Sequence, residues 1–298
     1  MTPLRPPDVD RMDLTDQERR SRTQSEFWIA EEPRELYQRA LRTLNAAGVP
    51  YVVSGAFAIY HYTGIYRETK DLDLLLEPRH VVPAAKALKQ AGFRMTLEQP
   101  HWIAKAKSDP HFVDLIFGIA NGLAFIDEDW HRHSRAATLA GEPIRVSPPE
   151  EMIWHRLFIS ERHRYDLGDT VHLILASDGQ LDWDRLLRKT GEHWPLLLTH
   201  LILFRYVYPE FADYVPGALM QELLQRQAAD LGRQGSRELV TRGPLISLFS
   251  FRIDVKEWGF RDLRQAAVAR ALQDPMVQSI VRSPVWEKEQ AEGDGHPA

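Results

Sequence analysis

The chain has 298 residues, 44% of them hydrophobic, enough for one large domain or two ordinary ones around a real core. A net charge of −5 excludes a globally basic nucleic-acid-binding surface, and the absence of cysteine excludes disulfides, thiolate zinc sites and a cysteine nucleophile. Any chemistry must run on oxygen and nitrogen groups.

The opening stretch "MTPLRPPDVDRMDLTDQERRSRTQ" is polar and proline-bearing and lacks the apolar run of a signal peptide, so a cytoplasmic protein is expected, with residues 1–28 loosely ordered. "PRELYQRALRTLNAAGV" places Leu36, Ala40, Leu41 and Leu44 at helical spacing before Gly48 stops the helix. A short strand "PYVVSG" follows, then a helix over roughly Ala56 to Tyr62, a strand over Thr69 to Leu76, a helix "VVPAAKALKQAG", and strands at "FRMTLE" and "HFVDLIFG". This alternation predicts an α/β (α+β) domain around a small mixed sheet, over 29–147.

At Ser147 the pattern changes. "SPPEEMIW" opens as a capped helix, with prolines and then glutamates in its first turn, and helical spacing continues to about residue 230. A mainly α-helical domain is expected over 148–286, with a flexible tail over 287–298. The most apolar window, Trp194 to Phe204, is far shorter than the roughly 20 residues a bilayer requires and reads as a buried helix, so no membrane partner is expected.

The chemistry concentrates in "SGAFAIYHYTGIYRETKDLDLLL", residues 54–76. Strand alternation puts Arg67, Thr69, Asp71 and Asp73 on one face and Leu72, Leu74 and Leu76 on the other, with Lys70 turned to the rim. Two carboxylates one pleat repeat apart repel unless a cation neutralises them, and their hard oxygens suit Mg²⁺, with Mn²⁺ as the substitute. The Ser54-Gly55 turn opens a helix with a hydroxyl, free backbone N–H groups and room for close approach, which favours phosphate. Asp114, inside the apolar "HFVDLIFG", is costly to bury unless it is paired or ligates metal, and beside Asp71 and Asp73 it completes a three-carboxylate cluster. An isolated Asp-x-Asp is common on exposed strand ends; the combination points to a metal-nucleotide site.

These residues, in this order, resemble the DNA polymerase β-like nucleotidyltransferase superfamily. The form Arg67-x-Thr69-x-Asp71-x-Asp73 looks most like the bacterial minimal and abortive-infection (toxin) types. Two departures are Ser54, where most relatives have Gly, and the fifteen residues between Gly55 and Asp71, toward the long end of the superfamily's spacing. More weakly, Ser147-Pro148, Glu150, Arg156, Arg162, Arg164, Asp166 and Asp169 resemble the relatives' helical half, so the likeness spans roughly residues 35–175. It implies an enzyme that moves a nucleoside monophosphate from an NTP to a hydroxyl on tRNA, a protein or a small molecule. Asp71, Asp73 and Asp114 would be catalytic and metal-binding, with Ser54, Gly55, Arg67, Thr69, Arg162 and Arg164 on the nucleotide. A toxin-type relative would also have an antitoxin partner. The alternative is a nucleotide-binding regulatory or interaction module of the same fold without turnover.

Arg162 and Arg164 could equally pair with Asp166 and Asp169. The histidines of "HRHSR" at 131–135, with His155, His163 and His172, read as polar surface, because no His-Glu-x-x-His spacing accompanies them. Gly-x-Ser-x-Gly and P-loop patterns are absent, which argues against a serine hydrolase and a Walker-type nucleotide site. The charged and aromatic stretch "FRIDVKEWGFRDLR" at 251–264 matches nothing in the superfamily.

Overall fold

The computed structural model describes residues 27, 29–162, 164–232 and 234–287; the segments expected to be loose at either end, apart from Phe27 and Glu287, and His163 lie outside them. The first half contains α1 (Glu31–Ala46), β1 (Val52–Val53), α2 (Gly55–Thr63), β2 (Asp71–Leu75), α3 (Pro78–Gln90), β3 (Arg94–Gln99), β4 (Ile103–Ser108), β5 (His111–Ile116), α4 (Glu128–Arg132), β6 (Arg135–Leu139) and β7 (Glu142–Val146). The strands form one mixed sheet in the order β3-β4-β5-β2-β1-β7-β6. It has seven strands where the sequence suggested a smaller sheet: β4 and the β6–β7 hairpin were not anticipated.

Helix α1 forms as its spacing predicts, burying Leu36, Tyr37, Ala40, Leu41 and Leu44, and the chain leaves it through Gly48 at φ +63°. Helix α3 starts three residues before the expected Val81, because Pro78 with its fixed φ sits in the first turn, where no N–H is needed. At the centre of the sheet, β2 runs antiparallel to β1 and parallel to β5. Leu72, Leu74, Val113 and Leu115 are fully buried on one side of these strands, which anchors them while their alternate residues face the other way.

The second half is largely helical: α5 (Pro149–Arg156), the two-residue strands β8 (Ser160–Glu161) and β9 (Arg164–Tyr165), α6 (Leu167–Ala176), α7 (Trp183–Thr190), α8 (Trp194–Val207), α9 (Gly217–Asp230), α10 (Arg252–Lys256), α11 (Leu263–Gln273) and α12 (Pro275–Val281). Helix α8 is the apolar window, with Leu197, Leu198, His200, Leu201 and Phe204 buried. Among the described residues no helix is long and apolar enough to cross a membrane.

The two halves share one continuous hydrophobic core. Helix α2 packs on α6, which brings the Ser54-Gly55 turn against the helical region. The C-terminal stretch folds back onto the sheet region: the Arg264 guanidinium donates to the Ala120 carbonyl at 2.9 Å, Lys89 to the Val285 carbonyl at 2.9 Å, and the Glu287 N–H to the Met95 carbonyl at 2.8 Å.

Candidate active site

The parallel pairing of β2 with β5 sets Asp73 directly opposite Asp114 and Asp71 opposite Phe112. Strand alternation then puts all three aspartates on one face, and one carboxylate oxygen from each lies within 4.8 Å of the other two. Among the described residues this is the one group of three or more acidic or histidine side chains close enough to share an ion; the histidines form none.

Neighbouring groups fix each carboxylate. The Thr69 hydroxyl donates to Asp71 Oδ1 at 2.7 Å, and the Lys105 ammonium donates to Asp114 Oδ1 at 2.7 Å. Lys105 also stands 3.7 Å from the centre of the Phe112 ring, an aromatic face that holds the cation in place. Asp73 is held from behind by the backbone, where the Ser54 N–H donates to the Asp73 carbonyl at 3.0 Å. Its carboxylate rests against Gly55: a Cβ there would meet Asp73 Oδ2 at 2.0 Å, and Gly55 has φ +61°. Only glycine satisfies both the left-handed backbone and that approach.

Burial, then the charges of Asp71 and Asp114, push the Asp73 carboxyl up to about 7, against the pull of Arg164 and Arg156. Burial also pushes Asp114 upward, with Lys105 opposing. Three acids converging on too little positive charge make a site that favours a cation. One oxygen of Asp71 and one of Asp114 remain outside the Thr69 and Lys105 bonds, so the hard-oxygen donor set fits a divalent ion of the Mg²⁺ or Mn²⁺ kind.

Of the phosphate-binding candidates, Ser54, Gly55 and Thr69 contact the triad residues directly. Ser54 is buried at the N-cap of α2, and its hydroxyl makes no capping bond, so that hydroxyl and the first helical N–H groups stay available. Arg164 is clasped by Asp166, Nε to Oδ1 at 3.1 Å and Nη2 to Oδ2 at 3.0 Å, and its charge reaches Asp73. Arg162 instead lies over the Phe249 ring, 5.0 Å from its centre. Arg67 precedes the strand and turns to Asp169, whose other oxygen accepts from Arg156 Nε at 3.0 Å. The structure thus brings Thr69 to the triad and ties Arg67 across to the helical half.

Sequence reasoning missed two neighbours. Lys105 is one of two lysines alternating with alanine in "IAKAK", a weak strand signal, and its pairing with Asp114 depends on sheet register. Tyr37 lies outside the apolar positions that the helical spacing marks in α1, and the structure buries it beside Leu36. Its hydroxyl is buried without a partner among the described residues, and burial followed by the charges of Asp71, Asp73 and Asp114 raises its pKa, which keeps it protonated.

An acidic strand pair beside a Ser-Gly helix start, on a mixed sheet followed by a helical region, defines a nucleotidyltransferase domain of the polymerase β-like superfamily. The chain belongs to the family described as uncharacterised nucleotidyltransferases, whose model matches residues 5–205. No curated protein matches it. Among solved structures, the antibiotic-resistance factor ANT(2'')-Ia is similar at 17% identity and TM-score 0.41, over 58% of this chain and 98% of that one. The lincomycin-bound lincosamide antibiotic adenylyltransferase LnuA is similar at 17% identity and TM-score 0.35, over 49% and 96%. JHP933 from Helicobacter pylori is similar at 16% identity and TM-score 0.32, over 68% and 98%.

Proposed function

We propose that this protein is a divalent-metal-dependent nucleotidyltransferase that moves a nucleoside monophosphate from an NTP to an acceptor hydroxyl. The observation that carries the reading is the convergence of Asp71, Asp73 and Asp114 within 4.8 Å beside a helix start that only glycine can form. The triad would hold Mg²⁺ or Mn²⁺, which when bound neutralises triphosphate charge and polarises the α-phosphoryl group.

Ser54 Oγ and the opening N–H groups of α2 bind the phosphate oxygens. Arg164, oriented by Asp166, adds positive charge from the helical side, as does Arg67 where its exposed edge leaves Asp169. Thr69 and Lys105 keep Asp71 and Asp114 aimed at the shared centre. Asp114, through the oxygen that Lys105 leaves free, takes the acceptor proton as the acceptor oxygen bonds to the α-phosphorus and the bond to the pyrophosphate oxygen breaks. Preorganisation of these charges is the main source of catalysis.

The Lys105–Asp114 ion pair supports a second reading, a nucleotide-binding module whose third carboxylate is neutralised by lysine instead of metal. The toxin type, with its antitoxin, rests on the Arg-x-Thr-x-Asp-x-Asp form alone. Incubation with Mg²⁺ and each α-labelled NTP, supplied with total RNA, total protein or a metabolite extract, tests the proposal. Label on one acceptor class with release of pyrophosphate supports transfer; NTP binding without either product supports the module.

A further inference from the structure

A cavity of about 650 Å³ opens beside the triad, with neither Ser54 nor Gly55 in its lining. It reaches the triad through Thr69, bonded to Asp71, and Phe112, which lies opposite Asp71 on the same face. Its walls are aromatic, built from Phe27, Tyr37, Phe57, Tyr66 and Phe112. Phe27 binds this wall together, its ring 4.3 Å from Phe57 and 4.8 Å from Tyr66 between centroids.

The rim carries Glu31, Glu32 and Glu68 against Lys70 and His111. Glu32 lies 3.6 Å from His111, whereas Glu31 and Glu68 are exposed and make no ion pair among the described residues. Tyr37 is 1% exposed, and its partnerless hydroxyl is a buried polar group that a bound ligand would satisfy.

These features select by charge and shape. Three carboxylates outnumber Lys70 and His111 on the rim, so a triphosphate is disfavoured there, which leaves the cavity to the second substrate. Aromatic faces under a carboxylate rim suit an organic cation, and the volume is that of a small-molecule site. We infer that this cavity is the acceptor site and that it takes a small, hydroxyl-bearing organic amine. The protonated amine sits between Glu31 and Glu68, the apolar face of the ligand lies on the Phe27–Phe57–Tyr66 wall, and the Tyr37 hydroxyl bonds a ligand oxygen. The acceptor role, though not the binding chemistry, rests on the transfer reading proposed above.

The test uses the full chain without NTP or metal, so binding is read independently of turnover. Calorimetric titration compares three probes: the disaccharide of glucosamine with both amines free, its N,N′-diacetylated counterpart, and a single-stranded RNA oligonucleotide. The free amine should bind and the other two should not, and Glu31→Gln with Glu68→Gln should weaken it about tenfold or more while ATP affinity is unchanged. Tyr37→Phe should weaken it by a smaller factor. Failure of the amine to bind, equal binding of the neutral sugar, preference for RNA, or indifference to the glutamate changes would overturn the inference. Amine binding with no label transferred in any assay would count against the transfer reading alone.

Discussion

Replacing Gly55 with alanine perturbs the point where backbone and carboxylate meet. Two costs add. An L-residue at φ +61° carries about 1–2 kcal/mol of backbone strain. The new Cβ would also lie 2.0 Å from Asp73 Oδ2, so the carboxylate must retreat by about 1 Å to reach even 3.0 Å. A misplacement of that size costs about a hundredfold in rate. Gly48→Ala separates the two costs, because Gly48 has φ +63° and open space where its Cβ would go. Urea denaturation and kcat/KM measured on both variants should show similar stability losses from the backbone, with the loss of activity confined to Gly55→Ala. If both variants keep full activity, Asp73 is not held where the chemistry requires it and the site reading fails.

Asp169→Asn should cost about 3 kcal/mol or more by denaturant unfolding, because it leaves the buried Arg156 without its carboxylate. Arg67→Ala, at a half-exposed partner of the same aspartate, should cost less than about 1 kcal/mol. His200 is buried in α8, and its pKa is lowered by burial from 6.5 to about 4, so the unfolded chain binds a proton that the folded chain refuses between those values. Stability should therefore fall as pH drops from about 6.5 to 4, by up to about 3 kcal/mol from this residue. The slope across that window should flatten in His200→Leu, as read from urea midpoints at successive pH values.

The site was legible where local periodicity carries it. Asp71 and Asp73 alternate with leucines that must be buried, and an aspartate inside "HFVDLIFG" is costly without a partner. Contacts set by register or by long-range return were not legible. Strand β4 reads "IAKAKS", and alanine is a poor strand signal, so neither the strand nor the Lys105–Asp114 pair stood out. The exposed edge strand β6 hid for the same reason, with most of its residues facing solvent. Arg67 was expected on the aspartate face, but it lies ahead of the regular strand and its pairing with Asp169 depends on how the two halves pack. The apolar walls beside the triad come from three separated stretches, so no single window of sequence shows them.

The central claim is that the three carboxylates together perform a metal-dependent transfer. It is tested most directly by following α-labelled NTP into the acceptor fraction with wild type and Asp73→Asn side by side, each with Mg²⁺ and with EDTA. The account predicts label with wild type and Mg²⁺ only, and at least about a hundredfold less with Asp73→Asn. It also predicts that the variant folds with unchanged or slightly higher stability when metal is absent, since a like charge has been removed from the cluster. Full transfer by Asp73→Asn, or transfer that persists in EDTA, would contradict it.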